Sequence, residues 1–168
     1  MSNNKLTENQ RHFLDVMSIY INKPLHLYGS IHRTDYIPGK SDIDIDIFTD
    51  NENSTIHLLS NFLNLKKYQV NKTVLKLNSL MIYGHKVQYE DTVKNINAEI
   101  SIFNEKYKND VLKEHNNARY LPFYLTIPLM IIKCMFYNLN LINKNTYKRC
   151  KQYLMNNNDE MKFIELIN

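Results

Sequence analysis

The sequence predicts one α+β domain, a twisted mixed sheet flanked by helices with a short C-terminal helical extension. Three observations carry this. Residues Ser41 to Phe48 alternate strictly between polar and apolar side chains, which is the period of a half-buried strand. Three more alternating stretches follow after a single helical pattern, so strands succeed one another instead of interleaving with helices, and α+β is favoured over βαβ winding. From about Lys106 onward the apolar spacing is helical. A length of 168 residues suits one compact domain, divided here into a core over 1–105 and a helical extension over 106–168 packed on it.

The elements follow in chain order. Thr7 caps an amphipathic helix that carries Phe13, Leu14, Met17 and Ile21 and ends before Pro24. Leu25 to Tyr28, stopped by Gly29-Ser30, is a short buried strand entering a turn. Ile31 to Lys40 contains Pro38-Gly39 and is a loop. The strand after it places Ile43, Ile45 and Ile47 on one face and Asp42, Asp44 and Asp46 on the other. Asn53 or Ser54 can cap a helix bearing Ile56, Leu58, Leu59, Phe62, Leu63 and Leu65. Lys67 to Leu77, Lys86 to Glu90 and Asn95 to Phe103 suit an antiparallel meander, with Gly84 in the turn between the first two. In the remainder Pro122 and Pro128 mark helix starts or breaks, and Tyr120 to Tyr124 are assigned to the core.

Composition excludes several classes. With 43% hydrophobic and 23% charged residues and only 3 Gly and 4 Pro, the chain is neither disordered nor linker-rich. A net charge of +4 mildly favours an anionic partner, but the lysines are dispersed and form no nucleic-acid arm. Cys134 and Cys150 both fall in helical sequence, which fits a reducing cytosol better than a disulfide framework. The N-terminus lacks the apolar stretch of a signal peptide, and the apolar run from Ile127 to Leu139 is shorter than the ~20 residues that span a bilayer. A cytoplasmic protein with no membrane partner is expected.

The aspartate strand is the feature that demands chemistry. Alternate residues on one strand face sit about 6.5 to 7 Å apart, so Asp42, Asp44 and Asp46 form a self-repelling row. Such carboxylates raise one another's pKa or recruit cations, and hard oxygen ligands select Mg²⁺, Mn²⁺ or Ca²⁺. The competing reading is a solvated strand face. A calcium loop is excluded, because its sixth and twelfth positions need Gly and Glu and here are Ile47 and Asn53. Gly29 would let a phosphate approach the backbone, with the Ser30 hydroxyl donating to it. Glu99, in the alternating stretch Asn97 to Phe103, can supply a third carboxylate from another strand; an ordinary surface Glu is its rival.

Leu25-His26-Leu27-Tyr28-Gly29-Ser30, a loop of about ten residues, Asp42-Ile43-Asp44-Ile45 and then Glu99 resemble the signature of the DNA polymerase β-like nucleotidyltransferase superfamily. The resemblance implies a nucleotidyltransferase-like fold and two-metal transfer of an NMP from an NTP to a hydroxyl. It implies that Asp42 and Asp44 bind two Mg²⁺ or Mn²⁺ ions, with Glu99 helping to hold one, and that Gly29, Ser30 and Ser41 bind the nucleotide. The chain departs from the pattern in three ways: Glu99 stands where Asp is commoner, Ile31-His32-Arg33-Thr34 replaces an Arg-rich loop, and Asp46 is an extra acid. An Asp44/Asp46 metal pair is a further possibility.

Lys133 is the one charge on the apolar helix Ile127 to Cys134. Burying an ammonium costs several kcal/mol unless it is paired, and a triphosphate would pair it, as small members of the superfamily suggest; a stem that snorkels to solvent is the alternative. Six dispersed histidines, none at metal-ligand spacing with a Cys, argue against zinc, and His26 reads as a core or supporting residue. The short tail points to a small-molecule or protein hydroxyl as acceptor before RNA, and to a homodimer or accessory protein. A catalytically silent nucleotide- or partner-binding subunit on the same fold is the main rival, and a calcium-binding structural protein a lesser one.

Overall fold

The computed structural model describes residues 5–66, 69–77, 80–117, 120–155 and the backbone of 161–165. Helix α1 (Glu8–Ile21) begins with a capping box: the Gln10 backbone N–H donates to the Thr7 hydroxyl at 3.3 Å, and the Thr7 N–H donates to Gln10 Oε1 at 3.0 Å. Helix α2 (Glu52–Leu63) is capped by Asn51, whose Oδ1 accepts from the Ser54 N–H at 3.0 Å. The expected caps Asn53 and Ser54 lie inside its first turn. Asn64 closes the helix in the left-handed conformation, so Leu65 packs from beyond its end.

Strands β1 (His26–Tyr28), β2 (Ile43–Thr49), β3 (Val70–Leu77), β4 (Leu80–Asp91), β5 (Ile96–Asn104) and β6 (Met161–Glu165) form one sheet in the order β1-β2-β5-β4-β3-β6. Strands β2 and β5 run parallel and the other neighbours antiparallel. The α+β class expected from the alternating stretches is the one observed.

Two expectations are corrected. Gly84 lies within β4, opposite Thr73 on one side and Phe103 on the other, and not in a turn. A Cβ at Gly84 would stand 2.5 Å from the Phe103 ring, so the missing side chain is the room that Phe103 fills. The junction of β3 and β4 falls at 78–79, which with Lys67 lies outside the described residues. Second, the segment after 106 is not wholly helical. Helices α3 (Lys108–Asn117), α4 (Phe123–Tyr137) and α5 (Lys144–Met155) are followed by β6, which returns to pair with β3. The sequence Met-Lys-Phe-Ile-Glu of β6 breaks strict alternation, so its period does not announce a strand.

The two sheet faces differ. On one, Ile43, Ile45, Ile47, Ile100 and Ile102 pack with Leu14, Met17 and Ile21 of α1 and Leu59 and Leu63 of α2; each such burial contributes about 1.5–3 kcal/mol. On the other, Phe48, Leu75, Ile82 and Phe103 meet Val111 of α3. The acid-bearing face of β2 is therefore apolar only at its far end. Pro122 stands at the start of α4 and Pro128 inside it. Tyr120, Phe123 and Tyr124 are exposed rather than in the core, because α4 buries the opposite side through Leu125, Leu129 and Lys133. No helix among the described residues is long and apolar enough to cross a membrane.

Candidate active site

Sheet register assembles the acids. Tyr28 pairs with Asp44 across β1 and β2, and Asp44 with Glu99 across β2 and β5; the next row is His26, Asp46 and Ser101. Directly opposed residues share a face, so Glu99 stands beside Asp44. Asp42 precedes β2, and Asn97 Nδ2 donates to its Oδ1 at 2.5 Å. Gly29 has φ +70°, and a Cβ there would collide with the Asp44 carboxylate. The space that a side chain would take above Asp44 is thus occupied by Asp44 itself. Ser30 is buried in the 3-10 turn Gly29–His32 that follows β1.

Burial and charge crowding both act on the acids. Burial, and then the neighbouring Glu99 and Asp42, push the Asp44 pKa up to about 7 despite the attraction of Lys151. Burial also raises Asp42, against the pull of Lys151. Lys151 of α5 is half-buried; its own pKa is raised, because Asp44, Tyr147, Asp42 and Glu99 together outweigh its desolvation. Lys86 of β4 meets Glu99 Oε1 at 2.5 Å.

Beside the acids lies a second charged group built on Asp35. Arg33 Nε and Nη2 donate to its two oxygens at 2.9 and 3.3 Å, and Lys133 Nζ reaches Oδ2 at 2.9 Å. The Lys133 ammonium also donates to the Asp35 carbonyl at 2.7 Å and to Ser41 Oγ at 3.5 Å. Lys133 therefore neither snorkels nor waits for a triphosphate to be paired. Burial works against the Asp35 charge, but Arg33 and Lys133 hold its pKa down at about 2. The penalty falls on Lys133, whose pKa is lowered by burial and by Lys151 and Arg33 despite Asp35. The Ser41 hydroxyl accepts from the Ile37 N–H at 3.0 Å, so it is engaged in closing the loop.

Asp46 is set apart from Asp42 and Asp44. It is fully buried, and its Oδ2 lies 2.6 Å from Nε2 of His115, a ring from α3 that stacks on Tyr28 with centroids 3.9 Å apart. Its Oδ1 has no hydrogen-bond partner among the described residues. An Asp44/Asp46 metal pair is thus disfavoured by a histidine that closes the site behind Asp44. His26 packs its ring against Phe48 at 5.4 Å, a supporting place.

Divalent ions fit this site by chemistry. Asp42 and Asp44 offer hard oxygens, and the burial and neighbouring carboxylates that raise the Asp44 pKa both disfavour a negative charge that a cation would stabilise. Among the described residues no three ligating side chains converge as placed, because Glu99 is turned to Lys86.

A family model described as the nucleotidyltransferase domain matches residues 10–120, which includes Gly29, Ser30 and all four acids. The chain belongs to the nucleotidyltransferase domain family. The match stops before α4 and α5, so Lys133 and Lys151 lie beyond it. This nucleotidyltransferase domain is similar to the Cid1 poly(U) polymerase bound to MgATP, with TM-score 0.42 and 12% identity over 84% of this chain and 47% of that one. It is similar to the polymerase core of TRAMP, an RNA surveillance complex, with TM-score 0.42 and 17% identity over 83% of this chain and 43% of that one. For the GLD-2/RNP-8 complex the values are 0.40 and 15% over 94% and 72%. The chain spans less than half the length of the first two. No curated protein sequence matches it.

Three members of the site escape sequence reasoning. Lys151 is one of four cations on α5, with Lys144, Lys148 and Arg149, and nothing local marks it. Asp35 and His115 act through partners 98 and 69 residues away, a separation to which periodicity is blind.

Proposed function

We propose that this nucleotidyltransferase domain transfers an NMP from an NTP to an acceptor hydroxyl, releasing pyrophosphate. The observation that carries the reading is the row of Asp44 and Glu99 on parallel neighbouring strands, with Asp42 one step away and Gly29 folded over Asp44. Asp42 and Asp44 would hold two Mg²⁺ or Mn²⁺ ions, and Glu99 would join them on leaving Lys86. When bound, such ions neutralise the phosphates and activate the acceptor oxygen for in-line attack at the α-phosphorus. Gly29 and Ser30 would receive the β- and γ-phosphates through backbone N–H groups and the hydroxyl. Lys151 would add positive charge beside the acids Asp44, Asp42 and Glu99, and Lys133 would act by holding the loop through Asp35 and Ser41. ATP is among the candidate nucleotides. A small-molecule or protein hydroxyl is the favoured acceptor over RNA, and the cytoplasm the favoured setting.

A silent subunit is the second reading, and the Glu99–Lys86 pair favours it, since that contact competes with metal binding. Thermal unfolding with each NTP, with and without Mg²⁺, separates the two. Ligand at 100 times its Kd stabilises by about 2.7 kcal/mol, roughly 5–10 °C for this size. The expected result is a Mg²⁺-dependent rise that Asp44→Asn abolishes, followed by transfer of α-labelled NMP in an acceptor screen. A nucleotide shift indifferent to Mg²⁺ and to Asp44→Asn would transfer the assignment to the silent subunit.

A further inference from the structure

Lys86 stands in one row of the sheet and is bonded in another. Across β2, β5 and β4 the register sets Asp46, Ser101 and Lys86 side by side, one row behind Asp44 and Glu99. Directly opposed residues share a face, so all five side chains belong to the acid-bearing face. Yet the Lys86 ammonium leans diagonally into the front row, where it meets Glu99 Oε1 at 2.5 Å. The lysine is 8% exposed, and a buried charge is costly unless it is paired. A divalent ion that takes Glu99 from Lys86 must therefore leave it another partner within reach.

The row in which Lys86 stands offers that partner. Ser101 Oγ and Asp46 Oδ1 are both buried without a hydrogen-bond partner among the described residues, although Asp46 Oδ2 is held by His115. A buried polar atom left unsatisfied costs about 1–3 kcal/mol, so two of them at adjacent places in one row call for an explanation. Opposed residues on antiparallel strands hold their Cβ atoms about 4.5–5.5 Å apart, well within the span of a lysine side chain. With the Lys86 ammonium donating to Ser101 Oγ, and the Ser101 hydroxyl donating to Asp46 Oδ1, both atoms are satisfied at once. Lys86 is already near enough to Asp46 for its charge, after that of His115, to draw down a carboxyl pKa that burial raises.

We propose that Lys86 has two seats: on Glu99 when the site holds no divalent ion, and on Ser101, and through it Asp46, when Glu99 turns to the ions. The inference rests on the metal-binding reading of the acids, and it makes Asp46 a counter-charge instead of a ligand. Because the ammonium is paired in both states, Lys86 does not forbid the ions; it sets the concentration at which they bind. Lys86 and Ser101 act through Glu99 and are positioning residues.

Mn²⁺ alone, titrated into the nucleotide-free chain and followed by electron paramagnetic resonance, tests this. Lys86→Met removes the competitor and is expected to tighten Mn²⁺ binding about tenfold or more, the scale of groups that act on a metal ligand. Ser101→Ala changes no charge. It is expected to weaken binding about three- to tenfold in the native chain, the worth of one hydrogen bond, and to have no effect in the Lys86→Met background, where no ammonium needs the second seat. If Lys86→Met does not keep the native far-UV circular dichroism, Lys86→Gln is read in its place. Binding that Asp44→Asn abolishes but that Lys86→Met leaves unchanged or weakens overturns the two-seat proposal alone. So does a Ser101→Ala effect that is absent or equal in both backgrounds. Binding that survives Asp44→Asn, or no binding by either the native chain or Lys86→Met, removes the metal reading and this proposal with it.

Discussion

Asp44 concentrates the tension of the site in one side chain. The Gly29 backbone covers it, Glu99 stands beside it, and its proton is held to about pH 7 instead of the usual 3.8. The folded state therefore binds this proton more tightly than the unfolded state does. Stability from this group is intact below about pH 4, falls as pH rises, and its loss of about 4 kcal/mol is complete above pH 7. Urea denaturation of the metal-free protein at pH 5 and pH 8 measures this. The native chain loses stability between those values, and Asp44→Asn loses about 2–3 kcal/mol less and is the more stable of the two at pH 8. Equal slopes for native and variant would mean that Asp44 ionises freely. The same substitution that strengthens the fold should remove the nucleotide response, a trade characteristic of residues placed for chemistry.

Strand β2 changes character along its length. Asp42 and Asp44 lie at the open end, Asp46 is buried under His115, and Phe48 ends in the second core with Phe103. Cutting His115 to Ala leaves a buried carboxylate without that partner, for a loss of about 2–4 kcal/mol. Replacing both with leucine, His115→Leu with Asp46→Leu, should recover most of it in urea denaturation; no recovery would show that His115 acts through its stack on Tyr28 instead. This is also where legibility in the sequence stops. The alternation of Ile43, Ile45 and Ile47 fixes which face is core, and Gly29, Asp42, Asp44 and Glu99 can be read because strand period and a short motif constrain them. Asp46 cannot be told from its neighbours by pattern, since its difference is a ring arriving from α3. Gly84 reads as a turn residue until Phe103 is seen to need its space. Strand β6 is hidden because a strand that pairs at one edge need not alternate cleanly.

Across the whole molecule, Asp35 links the loop over 31–42 to α4. Lys133 spans the junction, and Lys40 Nζ adds bonds to the Tyr137 carbonyl at 3.0 Å and to Asn138 Oδ1 at 2.7 Å. Lys133→Met removes one of two cations from a buried carboxylate. Because Arg33 remains, the expected loss is about 1–3 kcal/mol, or about 3–10 °C in Tm, together with weakened nucleotide response as Ser41 loses its anchor. An unchanged Tm would show that Arg33 alone satisfies Asp35. The parallel pairing of β2 with β5 has a further consequence, for the order of folding. Asp42 and Asn97 are 55 residues apart in sequence, so no local event can join them; the chain must first spend the entropy of closing a long loop. The β3–β4 hairpin lies inside that loop and pairs residues close in sequence, but the row of Asp44 and Glu99 is a long-range contact of the kind that forms slowly. Glu99 therefore joins Asp44 only when β2 and β5 pair, which keeps this one repelling carboxylate away from the aspartate strand in the nascent chain until a scaffold exists to hold them together.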